Sequence, residues 1–309
     1  KKFRQLGSLT PGHPEVEIPG VECTTGPLGQ GFAMGVGMAL SEEFVSNTIS
    51  SEDEKAKGLI DHFTYVLATD GDLQEPVSLG SAAIAGHLGL KKLIVYYDAN
   101  DAQISGKVSR SDSVNYPVLF EGLGWNVQEI DGHDHAALHF AIETAKVMDK
   151  PSIIIGKTIM AKGAANMEGD HNTHGAPLSQ EEIELTKEKL GLPSKKFYVP
   201  KEVIEHFRHR FSSLNNQAVQ WKEFCNTLHK VPSLNKIISS IVFGEMSSEF
   251  ENPDFKSGEM LATRKAFGVV LDIIAKKLPQ LVGGSADLEP SNYTGNFAKT
   301  YGDFQKQNK

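Results

Sequence analysis

Tyr65-Val66-Leu67-Ala68-Thr69-Asp70-Gly71-Asp72 is an apolar run that stops on an acidic, glycine-containing turn. Leu93-Ile94-Val95-Tyr96-Tyr97-Asp98-Ala99-Asn100 repeats the pattern further along the chain. The apolar parts, residues 65–68 and 93–97, read as strands. Between them residues 74–88, with small side chains that permit close packing, read as a helix. Strand, helix and strand in succession predict a parallel pair joined by a crossover. Working outward, residues 125–130 read as a third strand and 134–150 as a helix. Residues 152–158, rich in β-branched side chains, read as a fourth strand. The fold class is therefore α/β, a parallel sheet with helices on both faces. The strand rhythm stops between residues 190 and 259. That stretch reads as mainly helical, with the stripes Val203/Phe207/Phe211 and Trp221/Phe224/Leu228 at core-facing spacing. A new βα pattern begins with a helix over 263–278 and a strand at Leu281-Val282.

Bulk composition narrows the function. The 309 residues carry a net charge of −8, which argues against nucleic acid or an anionic membrane as a general partner. No apolar run approaches the roughly 18 residues that span a bilayer. Cys23 and Cys225 form neither a framework nor a CxxC pair, which fits a reduced, cytoplasmic setting. The first residue is Lys1, with no signal-peptide pattern behind it, as expected of a fragment.

In a parallel sheet, ligands gather beyond the carboxyl ends of the strands. Asp70 and Asn100 each follow such an end, and neighbouring strands would bring them side by side. A carboxylate and an amide oxygen suit a hard cation such as Mg²⁺, which also takes phosphate oxygens. Gly71 lets backbone approach a phosphate closely. Gly29-x-Gly31 with Gly35 and Gly37 mimics a dinucleotide fingerprint, but the spacing is wrong and no strand precedes it.

These residues carry a resemblance. Thr69-Asp70-Gly71, continued by Leu73-Gln74-Glu75 and closed at Asn100, resembles the thiamine diphosphate motif of transketolases, with Thr69 and Pro76 in place of glycines. Leu6-Gly7-Ser8-Leu9-Thr10-Pro11-Gly12-His13-Pro14-Glu15 and Thr24-Thr25-Gly26-Pro27-Leu28-Gly29-Gln30-Gly31 resemble segments of the same family. So do His171-Asn172-Thr173-His174-Gly175-Ala176-Pro177-Leu178 and Gly283-Gly284-Ser285-Ala286-Asp287-Leu288-Glu289-Pro290-Ser291-Asn292. The resemblance implies thiamine diphosphate and Mg²⁺, or another divalent ion such as Ca²⁺ or Mn²⁺. Asp70, Asn100 and the carbonyl of Ala102 would ligate the metal. Gly26, Pro27, Leu28 and Gly71 would lie against the cofactor, and Glu75 would couple two active sites across a homodimer. His13 would face the reacting carbon, and His174 would touch cofactor and substrate. Arg264 and Ser291 would hold the sugar phosphate, for which a guanidinium fork and a hydroxyl are apt.

Of the 11 histidines, His62, His87, His139 and His229 carry no motif. His206 and His209 read as a solvated helix face, and His133 and His135 as part of a helix-capping turn. The implied domains are a diphosphate-binding domain over 1–190 lacking its upstream part, a helical linker over 191–258, and the truncated start of a pyrimidine-binding domain over 259–309. The implied function is transfer of a two-carbon ketol unit from a ketose phosphate such as xylulose 5-phosphate to an aldose phosphate such as ribose 5-phosphate. It would proceed through a carbanion on the cofactor, in the pentose phosphate pathway. On this reading the activating glutamate lies beyond Lys309, and the 309 residues alone are inactive. The alternatives are a related thiamine diphosphate enzyme such as dihydroxyacetone synthase and a non-catalytic paralogue. The Gly12-His13-Pro14-Glu15 segment speaks against the first group's more distant members. The set His13, Asp70, Asn100 and His174 speaks against the second.

Overall fold

The structure, a computed structural model, describes residues 2–245, 250–278, 280–285 and 287–306. The chain forms two compact units, one of residues 1–41 and 62–203, the other of residues 42–61 and 204–309. Helix α1 (Gln30–Glu52) supplies residues to both. Then follow β1 (Thr64–Thr69), the single turn α2 (Asp70–Leu73), α3 (Pro76–Leu88) and β2 (Leu93–Ala99). Helix α4 (Tyr116–Gly122), β3 (Asn126–Asp131), α5 (His135–Ala145), β4 (Ser152–Lys157) and α6 (Gln180–Lys189) come next. Beyond them lie α7 (Lys201–Leu228), α8 (Pro232–Ile237), α9 (Thr263–Ala275), α10 (Glu289–Asn292) and α11 (Gly295–Tyr301).

The sheet has the order β1-β2-β4-β3, and every pairing is parallel. All four carboxyl ends therefore open on one edge. Thr69 is in register with Asp98, so the loops carrying Asp70 and Asn100 leave the sheet as neighbours. Alternation sorts the side chains onto two faces. On one, Ile94 and Ile154 pack against Ala141 and Ala145 of α5. On the other, Tyr97 meets Tyr116 of α4 edge to face at 5.7 Å. Gly35 of α1 lies so close to Val66 that any Cβ there would overlap it. Trp125 is buried, and its indole N–H donates to the Ala82 carbonyl of α3 at 2.9 Å. Each large apolar side chain removed from water in this way stabilises the fold by about 1.5–3 kcal/mol.

The second unit has its own core, of Ile49, Leu59, Cys225, Leu228, Leu234 and Ile238. Trp221 donates from its indole N–H to the Leu59 carbonyl at 2.7 Å.

Several expectations need correction. The helix expected from residue 74 begins at Pro76, because Asp70–Leu73 closes a separate turn and proline suits the first helical position. The helix expected over 134–150 ends at Ala145, with Asp134 as its N-cap through the Ala136 and Ala137 amides. Leu281-Val282 is not a strand: no described strand pairs with it, and an isolated extended segment has no ladder. The Val203/Phe207/Phe211 stripe is not core, with Phe207 53% and Phe211 63% exposed. In the second stripe only Leu228 is buried. Among the described residues no helix is long and apolar enough to cross a membrane.

Candidate active site

A cleft of about 910 Å³ within the first unit runs along β1 and α1 and reaches the carboxyl edge of the sheet. It is lined by Gly26, Pro27, Leu28, Gly71, Glu75, Asn100, Ala102 and His174, so most of the residues singled out in the sequence come together there. Asp70 sits behind this lining, 4% exposed, as the first residue of α2. One of its carboxylate oxygens, Oδ1, accepts from the Tyr97 hydroxyl at 2.5 Å. The other, Oδ2, is buried without a hydrogen-bond partner among the described residues. Burial raises the Asp70 pKa, while the Tyr97 hydroxyl and the Asn100 backbone amide work in the opposite direction. Burial also pushes the Tyr97 phenol far above its ordinary value, so it remains a donor.

Asn100 is fixed at both ends of its amide. Nδ2 donates to Asp98 Oδ2 at 3.1 Å, and Oδ1 accepts from the Ala102 N–H at 3.0 Å. Asp98 is in turn held by the Thr158 hydroxyl of the loop after β4. Asp101, between Asn100 and Ala102, has φ +54°, a left-handed conformation that aspartate tolerates better than most residues. That kink turns the Ala102 amide back onto Asn100.

The two departures from glycine fit the local backbone. Thr69 is extended (φ −126°, ψ 174°), where glycine has no advantage, and Pro76 occupies the first position of α3. At Gly71 a Cβ would lie 3.1 Å from Leu28 Cδ1, so a side chain there would press on the cleft wall. Gly26 has φ +144°, and a Cβ on it would come within 3.0 Å of the His13 ring. His13, though exposed, is thus packed beside the 26–28 segment. His174 caps a short 3₁₀ turn, its N–H donating to the His171 carbonyl at 3.0 Å. Arg264 is the second residue of α9 and Ser291 lies in α10, both exposed and both in the second unit. Ala286 of the neighbouring motif lies outside the described residues.

Sequence reasoning missed Tyr97, Asp72 and Gln74. Tyr97 reads as another apolar strand residue; only its hydroxyl distinguishes it. Asp72 accepts from the Gly29 N–H at 3.0 Å, a bond that no local pattern announces. Gln74 lines the cleft and accepts from the Ser111 hydroxyl at 3.2 Å. Among the described residues no three His, Cys, Asp or Glu side chains cluster as a metal site. A cation in this cleft would therefore rely on one carboxylate with neutral oxygens, a set suited to a hard ion that brings phosphate ligands with it.

A cleft at the carboxyl edge of a parallel sheet, walled by an apolar loop, glycines and a histidine with a buried carboxylate behind them, marks an α/β ligand-binding domain. Comparison with known proteins identifies the family. The family model for the transketolase thiamine diphosphate binding domain matches residues 1–247. Transketolase from Bacillus subtilis (strain 168) is 42% identical over 312 residues, covering 98% of this chain and 46% of that protein. Transketolase from Staphylococcus aureus (strain MRSA252) is 41% identical over 299 residues, covering 94% and 45%. Among solved structures, transketolase from Leishmania mexicana superposes with a TM-score of 0.91 at 36% identity, covering 99% of this chain and 46% of that one. The Campylobacter jejuni transketolase gives 0.82 at 40% identity, covering 95% and 45%. The chain belongs to the transketolase family. It spans less than half the length of these relatives.

Proposed function

We propose that the protein carrying this chain is a transketolase that moves a two-carbon ketol unit from a ketose phosphate such as xylulose 5-phosphate to an aldose phosphate such as ribose 5-phosphate. The observation that supports this best is the convergence of Asp70, Asn100, Ala102, the 26–28 segment and His174 on one sheet edge. The residues present fit thiamine diphosphate with a divalent cation, Mg²⁺ in the first instance. The buried Asp70 Oδ2 lacks a hydrogen-bond partner among the described residues, and Gly71, with no side chain, lets the Asp70 turn sit close against Leu28 of the cleft wall. Asp70, Asn100 and the Ala102 carbonyl would hold the cation and through it the diphosphate. Bound there, the cofactor would supply the carbon centre that carries the ketol unit.

The chain's own residues do the rest. Pro27 and Leu28 give the cleft an apolar wall that excludes water from the ring. His13 and His174 bind substrate hydroxyls and move protons to and from them, each worth roughly 10²–10⁴ in rate. Arg264 and Ser291 bind the terminal phosphate of the sugar. Glu75, half-buried beside Pro76, links this site to its counterpart in a homodimer. We place the protein in the cytoplasm, and we divide it into a diphosphate-binding domain over 1–190, a helical linker over 191–258 and the opening of a pyrimidine-binding domain over 259–309. The test is ketol transfer from xylulose 5-phosphate to ribose 5-phosphate by the protein carrying this chain, with Mg²⁺ and thiamine diphosphate. Transfer confined to other acceptors would favour a dihydroxyacetone synthase-like activity. Cofactor binding without transfer to any acceptor would favour a non-catalytic paralogue.

A further inference from the structure

Asp72 lies two residues from the proposed metal ligand, yet its carboxylate is committed elsewhere. Oδ1 accepts from the Gly29 N–H at 3.0 Å, and Oδ2 accepts from both the Thr69 N–H and the Thr69 hydroxyl at 2.9 Å. Three donors on one carboxylate form a charge-assisted set, stronger than neutral hydrogen bonds. They also hold both carboxylate oxygens in a fixed orientation. The bond to Gly29 joins two segments that are otherwise far apart in sequence. One is the turn after β1, which carries Asp70. The other is the loop that carries Pro27 and Leu28. The contact between them is tight: at Gly29 (φ +77°) a Cβ would lie 2.7 Å from Glu75 Cβ and 2.8 Å from Ser78 Oγ.

We propose that Asp72 is a positioning residue that latches the apolar 26–29 loop onto the Asp70 turn, holding the ring-facing wall of the cleft at a fixed distance from its diphosphate end. This rests on the reading of the cleft as a thiamine diphosphate site. A ligand spanning both ends requires that distance to be set before it binds, because ordering a loop on binding costs affinity. A ligand occupying only the metal end does not.

The test compares two probes by calorimetry on the protein carrying this chain: thiamine diphosphate with Mg²⁺, and inorganic pyrophosphate with Mg²⁺. Asp72→Ala should weaken thiamine diphosphate binding by about 10–100-fold, the range for residues that orient a binding group, and leave pyrophosphate binding unchanged. Thr69→Val keeps the Gly29 bond and removes one donor from Oδ2, so it should weaken thiamine diphosphate binding less than Asp72→Ala does; a loss as large as that of Asp72→Ala would overturn the latch. Asp72→Asn preserves the side-chain volume and keeps one acceptor oxygen. It should fall between the parent and Asp72→Ala, which guards against a fold lost through the alanine. Equal losses for both probes in Asp72→Ala would show that Asp72 merely shapes the metal turn, and no loss would remove it from the site; either overturns the latch. A parent that binds neither probe would instead overturn the reading of the cleft on which the latch depends.

Discussion

Strand β4 and helix α7 each carry a run of large apolar side chains, and the two runs end in opposite environments. Ile153, Ile154 and Ile155 are buried between β2 and β3, with helix α5 packed on one side. Phe207 and Phe211 of α7 stand largely in solvent, their rings touching each other at 6.2 Å between centroids. A central strand of a parallel sheet gains neighbours from both ladders and both faces, so its apolar side chains are covered by the fold's own construction. An amphipathic helix is covered only where another element meets its stripe. Periodicity identifies the stripe but not the element that meets it. The cleft draws on the covered side of this division, with Asn100 and Ala102 following β2 and Gly71 following β1, while Gly26, Pro27 and Leu28 come from the loop before α1.

The sharpest way to break this contrast is at the sheet edge. Asp70→Ala removes the buried carboxylate and should abolish Mg²⁺-dependent thiamine diphosphate binding, read by calorimetry. Unchanged affinity would move the metal elsewhere. Next in size, His174→Ala should lower kcat/KM by about 10²–10⁴ with donor and acceptor alike while leaving the circular dichroism spectrum intact, since the residue sits on an exposed loop. Normal kinetics would remove it from the site.

The contrast itself is tested by a pair of substitutions. Ile154→Ala should cost about 2–5 kcal/mol in chemical denaturation. Phe207→Ser should stay within about 0.5 kcal/mol, as for exposed positions. Similar costs for both would mean that the α7 stripe is covered in the protein as it folds. A smaller effect comes from Tyr97→Phe, which deletes only the hydroxyl on Asp70. Mn²⁺ affinity in the presence of thiamine diphosphate should drop about 10–100-fold, followed by electron paramagnetic resonance.

The smallest expected effect concerns pH. Glu182 accepts from the Asn166 and Met167 backbone amides at 2.8 and 3.1 Å, tying the loop after β4 to α6. The Asn166 backbone amide, with the Asn166 side chain next, lowers its pKa in the fold. A depressed carboxylate stabilises fully above the unfolded value near 4.5, and that stabilisation fades as pH falls through the lower folded value. Glu182→Gln should therefore reduce Tm at neutral pH, with the gap to the parent narrowing under acid. A gap independent of pH would contradict the role of the charge.

The strands could be read from the sequence because continuous apolar runs end on Asp, Gly or Asn, and their observed limits agree within a residue or two. That the loops carrying Asp70 and Asn100 leave adjacent strands was legible once the two strands were read as parallel neighbours. Four things were hidden. The partner of the Tyr97 hydroxyl and that of the Asp72 carboxylate are set by tertiary approach, which no window of sequence contains. Leu281-Val282 has the composition of a strand, but a strand exists only when another pairs with it. The exposure of Phe207 depends on what lies opposite it.

The central claim is that the metal and diphosphate end of the site lies where β1 and β2 deliver Asp70 and Asn100. Crystals of the protein carrying this chain, grown with Mn²⁺ and thiamine diphosphate, would locate the cation by its anomalous scattering. The account predicts a peak within coordination distance of Asp70 Oδ2, Asn100 Oδ1 and the Ala102 carbonyl, with diphosphate oxygens completing the shell. A cofactor bound with its cation held by other residues would contradict it.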